Sequence, residues 1–392
     1  MLHINTNNRI MTNAFIFVTV FYTFFQSMFN RIGSMSNLIY VVLLIVVFGY
    51  LIEGHTKIDL GAVIAFFTIL AVSMVNVLIF DIKNTQTIVP YFIFGLPMIL
   101  AGALIEINDL NKKFIYNVAV IYIWFLFFYM VFKYTKISTV STDFADYLGF
   151  AYYALPSLPI VIYHFYRKRD WLSGGTSIAG LFYLLICGTR GPILCTGLFI
   201  LYCIGLSFKN KGNTKIKLFI LFAFILMGVM ILNLREIAEY LYPFFQKKGF
   251  STRFFKMIIY GTGFGGSSGR DILFDSVFDN IADHPFVGTG IYSDRIFLGG
   301  TDDSYCHNLF IEIINSFGIP LGVTMILALI VLIVRAYMCA DEESRALIAV
   351  FFCSTFVKLL MSSSFLLEYH FFFMIGLCCN VTLHSKKKTG MT

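Results

Sequence analysis

Long apolar blocks recur along this chain of 392 residues, and they restrict its fold more than any other feature. A helix needs about 20 mostly apolar residues to cross the roughly 30 Å hydrocarbon core of a bilayer, because it rises by only about 1.5 Å per residue. Hydrophobic residues make up 58% of the chain and charged residues 13%, which excludes an ordinary soluble globular protein. The blocks therefore predict an all-α integral membrane protein.

The spacing of the blocks predicts about twelve transmembrane helices. Their expected ranges are 14–30, 35–52, 60–80, 88–106, 114–132, 147–166, 174–187, 191–208, 216–233, 318–338, 345–365 and 369–384. We accordingly predict a membrane part at 1–233, a loop domain with amphipathic helices at 234–317, and a second membrane part with a cytoplasmic tail at 318–392.

Basic residues are distributed unevenly between the two sides of the predicted membrane. With twelve spans both termini share one side, and that side carries Arg9, Lys57, Lys112, Lys113, Arg167, Lys168, Arg169, Lys209, Lys211, Lys215, Lys217, Arg335, Arg345, Lys386, Lys387 and Lys388. The short loops opposite carry only Arg31, Lys83, Lys133, Lys136 and Arg190. The positive-inside rule then places both termini in the cytoplasm and the loop domain outside. The net charge of +7 follows from this orientation and does not indicate a nucleic-acid partner.

The eight cysteines predict neither a disulfide framework nor a zinc site. Seven of them lie in or at the ends of apolar blocks, where cysteine behaves as a small hydrophobic residue. Only Cys306 lies near the outer face, and the sequence contains no CxxC pair. We therefore expect no bound metal and no other cofactor.

The loop domain contains a predicted amphipathic helix over 271–281. Its apolar residues recur at helical spacing, at Phe274, Val277, Phe278 and Ile281. Acidic residues recur every four positions on another face, at Asp271, Asp275, Asp279 and Asp283. That row could hold a cation, but a solvated helix face is the favoured interpretation. Ser268 is the expected N-terminal cap, and Pro285 ends the helix.

A second helix is predicted to begin near Ser304, with Asp303 or Ser304 as its cap. Its polar face is formed by Asn308, Glu312 and Asn315, at i, i+4 and i+7 spacing. Gly318 and Pro320 are expected to break this helix before the next span.

Four basic side chains stand out because of where they lie. His307 could act as a general base near neutral pH, although a histidine is also tolerated at a membrane interface. Arg190 lies in a short turn between two apolar blocks, where it could bind a phosphate or simply extend toward water. Arg270 follows a glycine-rich stretch that would favour an anion, although such loops are common. Lys358 lies within an apolar block and is either functional or near a helix end.

Three motifs in the order and spacing seen here resemble those of the O-antigen polymerase and O-antigen ligase superfamily. In this chain, Gly188-Thr189-Arg190-Gly191 is similar to the Ser/Thr-Arg-Gly turn of that superfamily. A Gly-Arg pair followed by a Pro-x-x-Gly-x-Gly turn is similar to Gly269-Arg270 and Pro285-Phe286-Val287-Gly288-Thr289-Gly290. A His-Asn pair followed by a Gly-Ile-x-Gly turn is similar to His307-Asn308 and Gly318-Ile319-Pro320-Leu321-Gly322. The resemblance covers about residues 185–325.

The resemblance implies a fold and a reaction. The fold would be a GT-C-like helical bundle in the bacterial inner membrane, capped by a large, partly helical periplasmic loop. The reaction would move a glycan from an undecaprenyl-diphosphate-linked oligosaccharide to a sugar hydroxyl, with inversion and without a metal. By analogy His307 is the catalytic base, Arg190 and Arg270 bind the donor diphosphate, and Asn308, Glu312 and Asp303 are candidate supporting residues.

The identity of the acceptor distinguishes the two activities of the superfamily. A polymerase extends a second lipid-linked repeat unit, whereas a ligase transfers the glycan to lipid A-core. By analogy we favour the polymerase, because a chain rich in Phe and Tyr and weakly patterned outside the loop is similar to the usual polymerases of this superfamily. The resemblance also implies a chain-length regulator and a flippase as partners. The alternatives from other classes are a lipid-linked oligosaccharide flippase, which predicts two similar halves that we do not find, and a membrane scaffold.

Overall fold

The structure is a computed structural model, and its fold is described for residues 13, 60–83, 85–105, 107, 110–136, 145–187, 189–209, 234–247, 252, 255–256, 259–260, 270–298 and 305–388. These residues form helices joined by turns, without a β-strand. The predicted spans 14–30, 35–52 and 216–233 lie outside the described residues, as does Asp303.

The helices divide into two compact units, one made of residues 1–111 and 268–392 and the other of residues 112–267. In chain order, the helices before residue 210 are α1 Leu60–Ile79, α2 Thr85–Pro90, α3 Met98–Leu104, α4 Lys112–Lys136, α5 Ala145–Tyr152, α6 Ser157–Lys168, α7 Trp171–Cys187 and α8 Arg190–Lys209. Those that follow are α9 Leu234–Lys247, α10 Arg270–Asp283, α11 Ser293–Phe297, α12 Leu309–Cys339, α13 Glu342–Phe351, α14 Val357–Leu359 and α15 Tyr369–Lys388.

Five helical segments among the described residues are long and apolar enough to cross a membrane. They are Leu60–Ile79, Thr87–Leu104, Lys112–Val131, Arg190–Phe208 and Leu309–Cys339. Two shorter apolar helices accompany them, at Trp171–Cys187 and Tyr369–Leu383. The protein is therefore an all-helical, multi-pass membrane protein, while the full count of twelve spans stays a prediction.

Two predicted spans differ from the structure. Range 147–166 forms two helices, α5 and α6, because Pro156 has no backbone N–H and the chain turns over 153–156. Range 345–365 is helical only as far as Leu359, through a π-helical stretch at Phe352–Phe356, and forms turns over 360–368. Ser364 lies in these turns and directs its hydroxyl to Glu312, which gives that segment polar partners outside a helix.

The core of the first unit lies where α3 crosses α15. A Cβ on Gly102 would lie 2.1 Å from the carbonyl oxygen of Phe373, and one on Gly376 would lie 1.9 Å from that of Ile99. Only glycine lets two helices approach so closely, as is common in membrane bundles. Asn380 on α15 donates to the carbonyls of Ala103 and Ile105, at 2.7 and 2.9 Å, and so satisfies the end of α3.

The second unit is built around α4, α6 and α7. Tyr116, Ala119 and Val120 of α4 pack with Val161 of α6 in its buried core. Trp124 adds a hydrogen bond from its ring nitrogen to Thr176 on α7, at 3.0 Å. These contacts hold the bundle from which α8, with Arg190 as its first residue, extends.

Candidate functional site

Two glycine turns meet in the first unit, and both belong to the motifs identified in the sequence. Gly288 and Gly318 have backbone φ angles of 74° and 77°, which side-chain-bearing residues rarely adopt. A Cβ on Gly288 would lie 2.5 Å from the backbone nitrogen of Gly318, and one on Gly318 would lie 2.4 Å from the carbonyl oxygen of Phe286. The sequence therefore places glycine where two backbone segments touch.

Backbone hydrogen bonds lock these turns together. Thr289 and Gly290 donate to the carbonyls of Asn315 and Ser316, at 2.9 and 3.1 Å. Ile319 donates to the carbonyl of Pro285 at 2.7 Å. Gly318 interrupts α12 with non-helical φ and ψ angles, so the predicted break before the membrane span is confirmed.

A buried asparagine of α1 completes this junction. The side-chain nitrogen of Asn76 donates to the carbonyl of Ser316 at 2.9 Å, and its oxygen accepts from the backbone N–H of Ile291 at 2.7 Å. Beside it, the side-chain nitrogen of Asn280 on α10 donates to the side-chain oxygen of Asn315 at 2.7 Å. One transmembrane helix thereby fixes both the turn and the first part of α12.

The segment that carries His307 lies directly before α12. The predicted helix start near Ser304 is wrong, because residues 305–308 are not helical and α12 begins at Leu309. Asn308 is the cap, and its side-chain oxygen accepts from the backbone N–H groups of Phe310 and Ile311, at 3.0 and 3.3 Å. An asparagine is as good a cap as the serine or aspartate expected from the sequence, and this one lies next to the first helical turn.

His307 is half-buried in a backbone conformation unusual for its residue type. Its φ angle of 52° falls in the left-handed region. The ring of Tyr305 lies beside the imidazole, with 4.1 Å between the ring centroids, and the Tyr305 hydroxyl donates to the carbonyl of Ser362 at 3.2 Å. On the other side, the side chain of Asn308 donates to the carbonyl of Leu360 at 3.3 Å. The residues that flank His307 are thus attached to the turns at 360–368.

A fully buried ion cluster lies between α11 and α12. Arg295 Nη1 lies 3.0 Å from Asp294 Oδ1 and 3.6 Å from Glu312 Oε1, and the three side chains are 0%, 2% and 1% exposed. Burial opposes the charge of Arg295, but the carboxylates of Glu312 and Asp294 outweigh that effect and raise the pKa of the guanidinium above its ordinary value. Burial likewise raises the pKa of the adjacent Cys306 thiol far above its ordinary range. That thiol is therefore not a nucleophile at neutral pH.

A second buried cluster explains Lys358. Its ammonium contacts the carboxylate of Glu368, whose other oxygen lies 3.1 Å from His370 Nδ1. Burial alone would raise the pKa of Glu368, but Lys358 and His370 lower it to about 2. The charge of Lys358 is therefore compensated within the protein. Lys358 also lies one residue before the end of α14, in accord with the alternative that it is near a helix end.

Each of the predicted anion-binding arginines is the first residue of a helix. Arg270 begins α10, whose end before Pro285 confirms the predicted helix, and Asp275, Asp279 and Asp283 lie exposed along it. Arg190 begins α8 in the other unit and is half-buried. The next residue is glycine because a Cβ there would lie 2.0 Å from the Tyr152 hydroxyl.

The structure therefore groups part of the predicted site. His307, Asn308 and Glu312 lie within six consecutive residues. Arg270 belongs to the same compact unit as these residues, while Arg190 belongs to the other. Sequence reasoning missed Asp294 and Arg295, as well as Asn76 and Glu368. The available signal was a polar side chain in an apolar part of the sequence. Burying such a side chain costs free energy unless it is paired or functional.

A family comparison agrees with the motifs. A model of the family described as O-Antigen ligase matches residues 175–326, the segment that holds all three motifs. A search of curated proteins finds no match to the chain. Residues 175–326 therefore carry a domain of the O-antigen polymerase and O-antigen ligase superfamily.

Proposed function

We propose that this protein is a surface-polysaccharide polymerase of the bacterial inner membrane, acting at the periplasmic face. It joins repeat units that are both linked to undecaprenyl diphosphate, one as donor and one as acceptor. The observation that carries the proposal is the His307 segment, in which a half-buried imidazole is held by the residues on either side of it within the matched family domain. A general base has to be held in place to reach the acceptor hydroxyl, and the contacts of Tyr305 and Asn308 with the turns at 360–368 support that role for His307.

The chemistry is a single displacement at the anomeric carbon of the donor. The acceptor hydroxyl attacks from the side opposite the diphosphate, a new glycosidic C–O bond forms, and the bond to the phosphate oxygen breaks. The electron pair stays on that oxygen, and undecaprenyl diphosphate leaves as an anion. A ring nitrogen of His307 takes the hydroxyl proton, and the configuration at the anomeric carbon inverts.

Arg190 and Arg270 stabilise the charge that develops on the leaving diphosphate. Each begins a helix, where the backbone N–H groups and the helix dipole are already positive. A phosphate bound at such a position would accept from the backbone N–H groups and would match the planar guanidinium in a bidentate manner. Because the diphosphate gains charge as the bond breaks, these arginines would stabilise the transition state more than the bound donor.

The alternative is an O-antigen ligase that transfers the glycan to lipid A-core, and the description of the matched family favours it. The two activities share donor chemistry and differ only in the acceptor. The Phe- and Tyr-rich, weakly patterned first half of the chain favours the polymerase.

Complementation decides between them. In a host that lacks its polymerase, the wild type should restore a ladder of surface polysaccharide on a gel. His307→Ala and Arg270→Lys should leave single-repeat caps while present in the membrane at normal amounts. Arg235→Lys is the matched control, because Arg235 is exposed and forms its ion pair with Glu239, one turn along the same helix. Restoration of attached polysaccharide in a ligase-deleted host, with no ladder in the first host, would establish the ligase instead.

A further inference from the structure

The buried cluster of Asp294, Arg295 and Glu312 is the most unusual electrostatic feature of the described residues. Its guanidinium has no exposed surface, and its Nε and Nη2 groups have no hydrogen-bond partner among the described residues. The rings of Tyr292 and Tyr305 face the guanidinium carbon, at 5.0 and 5.1 Å from their centroids. A buried arginine with unsatisfied donors adds little stability, so the arrangement requires another explanation.

Binding of the donor diphosphate by Arg295 is a poor explanation. Two carboxyl groups already lie beside the single guanidinium, so a further anion would have to displace their oxygens from it. The aromatic rings and the complete burial also leave no surface on which a lipid-linked sugar could lie.

The cluster instead connects the segments around His307. Asp294 Oδ1 accepts from the backbone and side chain of Arg295, and Asp294 Oδ2 accepts from the backbone N–H of Cys306 at 3.0 Å. Glu312 accepts from the Ser364 hydroxyl and, at 3.2 Å, from the backbone N–H of Phe365. The cluster therefore ties the residue before His307 to α11, and it ties α12 to the turns at 360–368.

Resting on the proposed function, we infer that Asp294 and Arg295 are positioning residues that hold His307 for proton transfer. The backbone of His307 has an unfavourable φ angle, which persists only where its surroundings enforce it. On the N-terminal side of His307, the backbone N–H of Cys306 donates to Asp294. On its C-terminal side, the side chain of Asn308 donates to the carbonyl of Leu360. Arg295 donates to Asp294 Oδ1 and so orients that side chain in this buried position.

The test compares turnover and binding in purified enzyme in nanodiscs. The substrate is the pool of lipid-linked repeat units extracted from a polymerase-deleted host. Arg295→Met and Asp294→Asn should lower kcat about 100-fold with KM changed by less than about twofold, because a misplaced base slows the chemical step. Arg295→Lys should recover most of that loss, because only Nη1 of Arg295 reaches the carboxylates and one ammonium can replace it.

Arg235→Met is the matched control, because it removes the same charge from an exposed position and should leave kcat unchanged. A variant that unfolds at lower temperature yet turns over normally per folded molecule would show that the cluster is only structural. A raised KM with unchanged kcat would show that Arg295 binds substrate instead. Either result overturns the inference.

A second readout separates this inference from the proposed function. Hydrogen exchange at the Cys306 amide should be slow in the wild type and at least about tenfold faster in Asp294→Ala, because its acceptor is gone. If the wild type fails to join lipid-linked units, the proposed function is wrong, and the inference about catalysis is overturned with it. The exchange measurement then still tests whether Asp294 holds the Cys306 amide. Unchanged exchange at that amide in Asp294→Ala would refute this contact even in an active enzyme.

Discussion

His307 illustrates how one side chain depends on many others. Its neighbours contact Asp294, Leu360 and Ser362, which are distant in sequence. His307 could be proposed as the base from the motif alone, since a histidine-asparagine pair before an apolar helix is visible in the sequence. The residues that hold it could not, because those contacts exist only after folding.

We expect His307→Gln to reduce turnover by at least about 100-fold, the usual contribution of a positioned general base. Glutamine has a similar size but cannot accept the proton, so folding and membrane insertion should be retained. The measurement is kcat per folded enzyme with extracted lipid-linked repeat units. His284→Gln is the control, because His284 has an exposed side chain and should behave as the wild type. Normal turnover in His307→Gln would remove this residue from the mechanism.

At the scale of elements, the junction between the turn at 285–290 and the kink of α12 is a backbone-to-backbone contact. Gly288→Ala and Gly318→Ala should each lower the free energy of unfolding by more than about 2 kcal/mol. The added methyl group meets backbone atoms at 2.5 and 2.4 Å, and alanine disfavours the positive φ angles. Denaturant titration in detergent measures this.

Gly197→Ala is the control for these substitutions. Nothing lies within 4 Å of a Cβ at Gly197, which is in the interior of α8. Alanine is the better helix former there by about 1 kcal/mol, so this variant should match or exceed wild-type stability. Equal stability of all three variants would contradict the close contact at the junction.

Asn76 on α1 binds both segments near that junction, through Ser316 and Ile291. Asn76→Leu should destabilise the fold by about 2 kcal/mol, because the buried backbone N–H of Ile291 loses its acceptor and the carbonyl of Ser316 loses one of its two donors. Thermal unfolding in detergent should show a lowered midpoint, and activity should fall because α11 begins two residues after Ile291. Met74→Leu changes an exposed residue of the same helix and should have no effect. An unchanged midpoint in Asn76→Leu would mean that water replaces the amide.

Elements with a strong local pattern could be predicted, and those set by distant partners could not. The periodic apolar positions of α10 and the break at Gly318 are local signals, and both are confirmed. The sequence predicts helix over 360–365 because that segment is apolar enough, whereas the structure has turns there. They form because Glu312 and Asn308, some 50 residues earlier, bind Ser364, Phe365 and Leu360.

At the scale of the whole molecule, charged groups are distributed unevenly among the described residues. The five candidate spans bury few charged residues, apart from those compensated within the protein such as Glu312. Both buried ion clusters lie in the first unit, beside the turns that contact the His307 segment. Charge inside the protein is therefore concentrated around the proposed catalytic segment.

The orientation of the whole chain gives the last prediction. The C-terminal end of α6 carries Arg167 and Lys168, and Arg169 follows it; the positive-inside rule places these three residues in the cytoplasm. A fluorescent protein fused after Arg169 should fluoresce, and alkaline phosphatase fused after Tyr260 should be active, since each reporter works on one side only. The reverse pattern would place His307 in the cytoplasm, where repeat units on a periplasmic lipid carrier could not reach it. Exchanging the two reporters at each site is the control, because signals that followed the reporter and not the site would reflect expression alone.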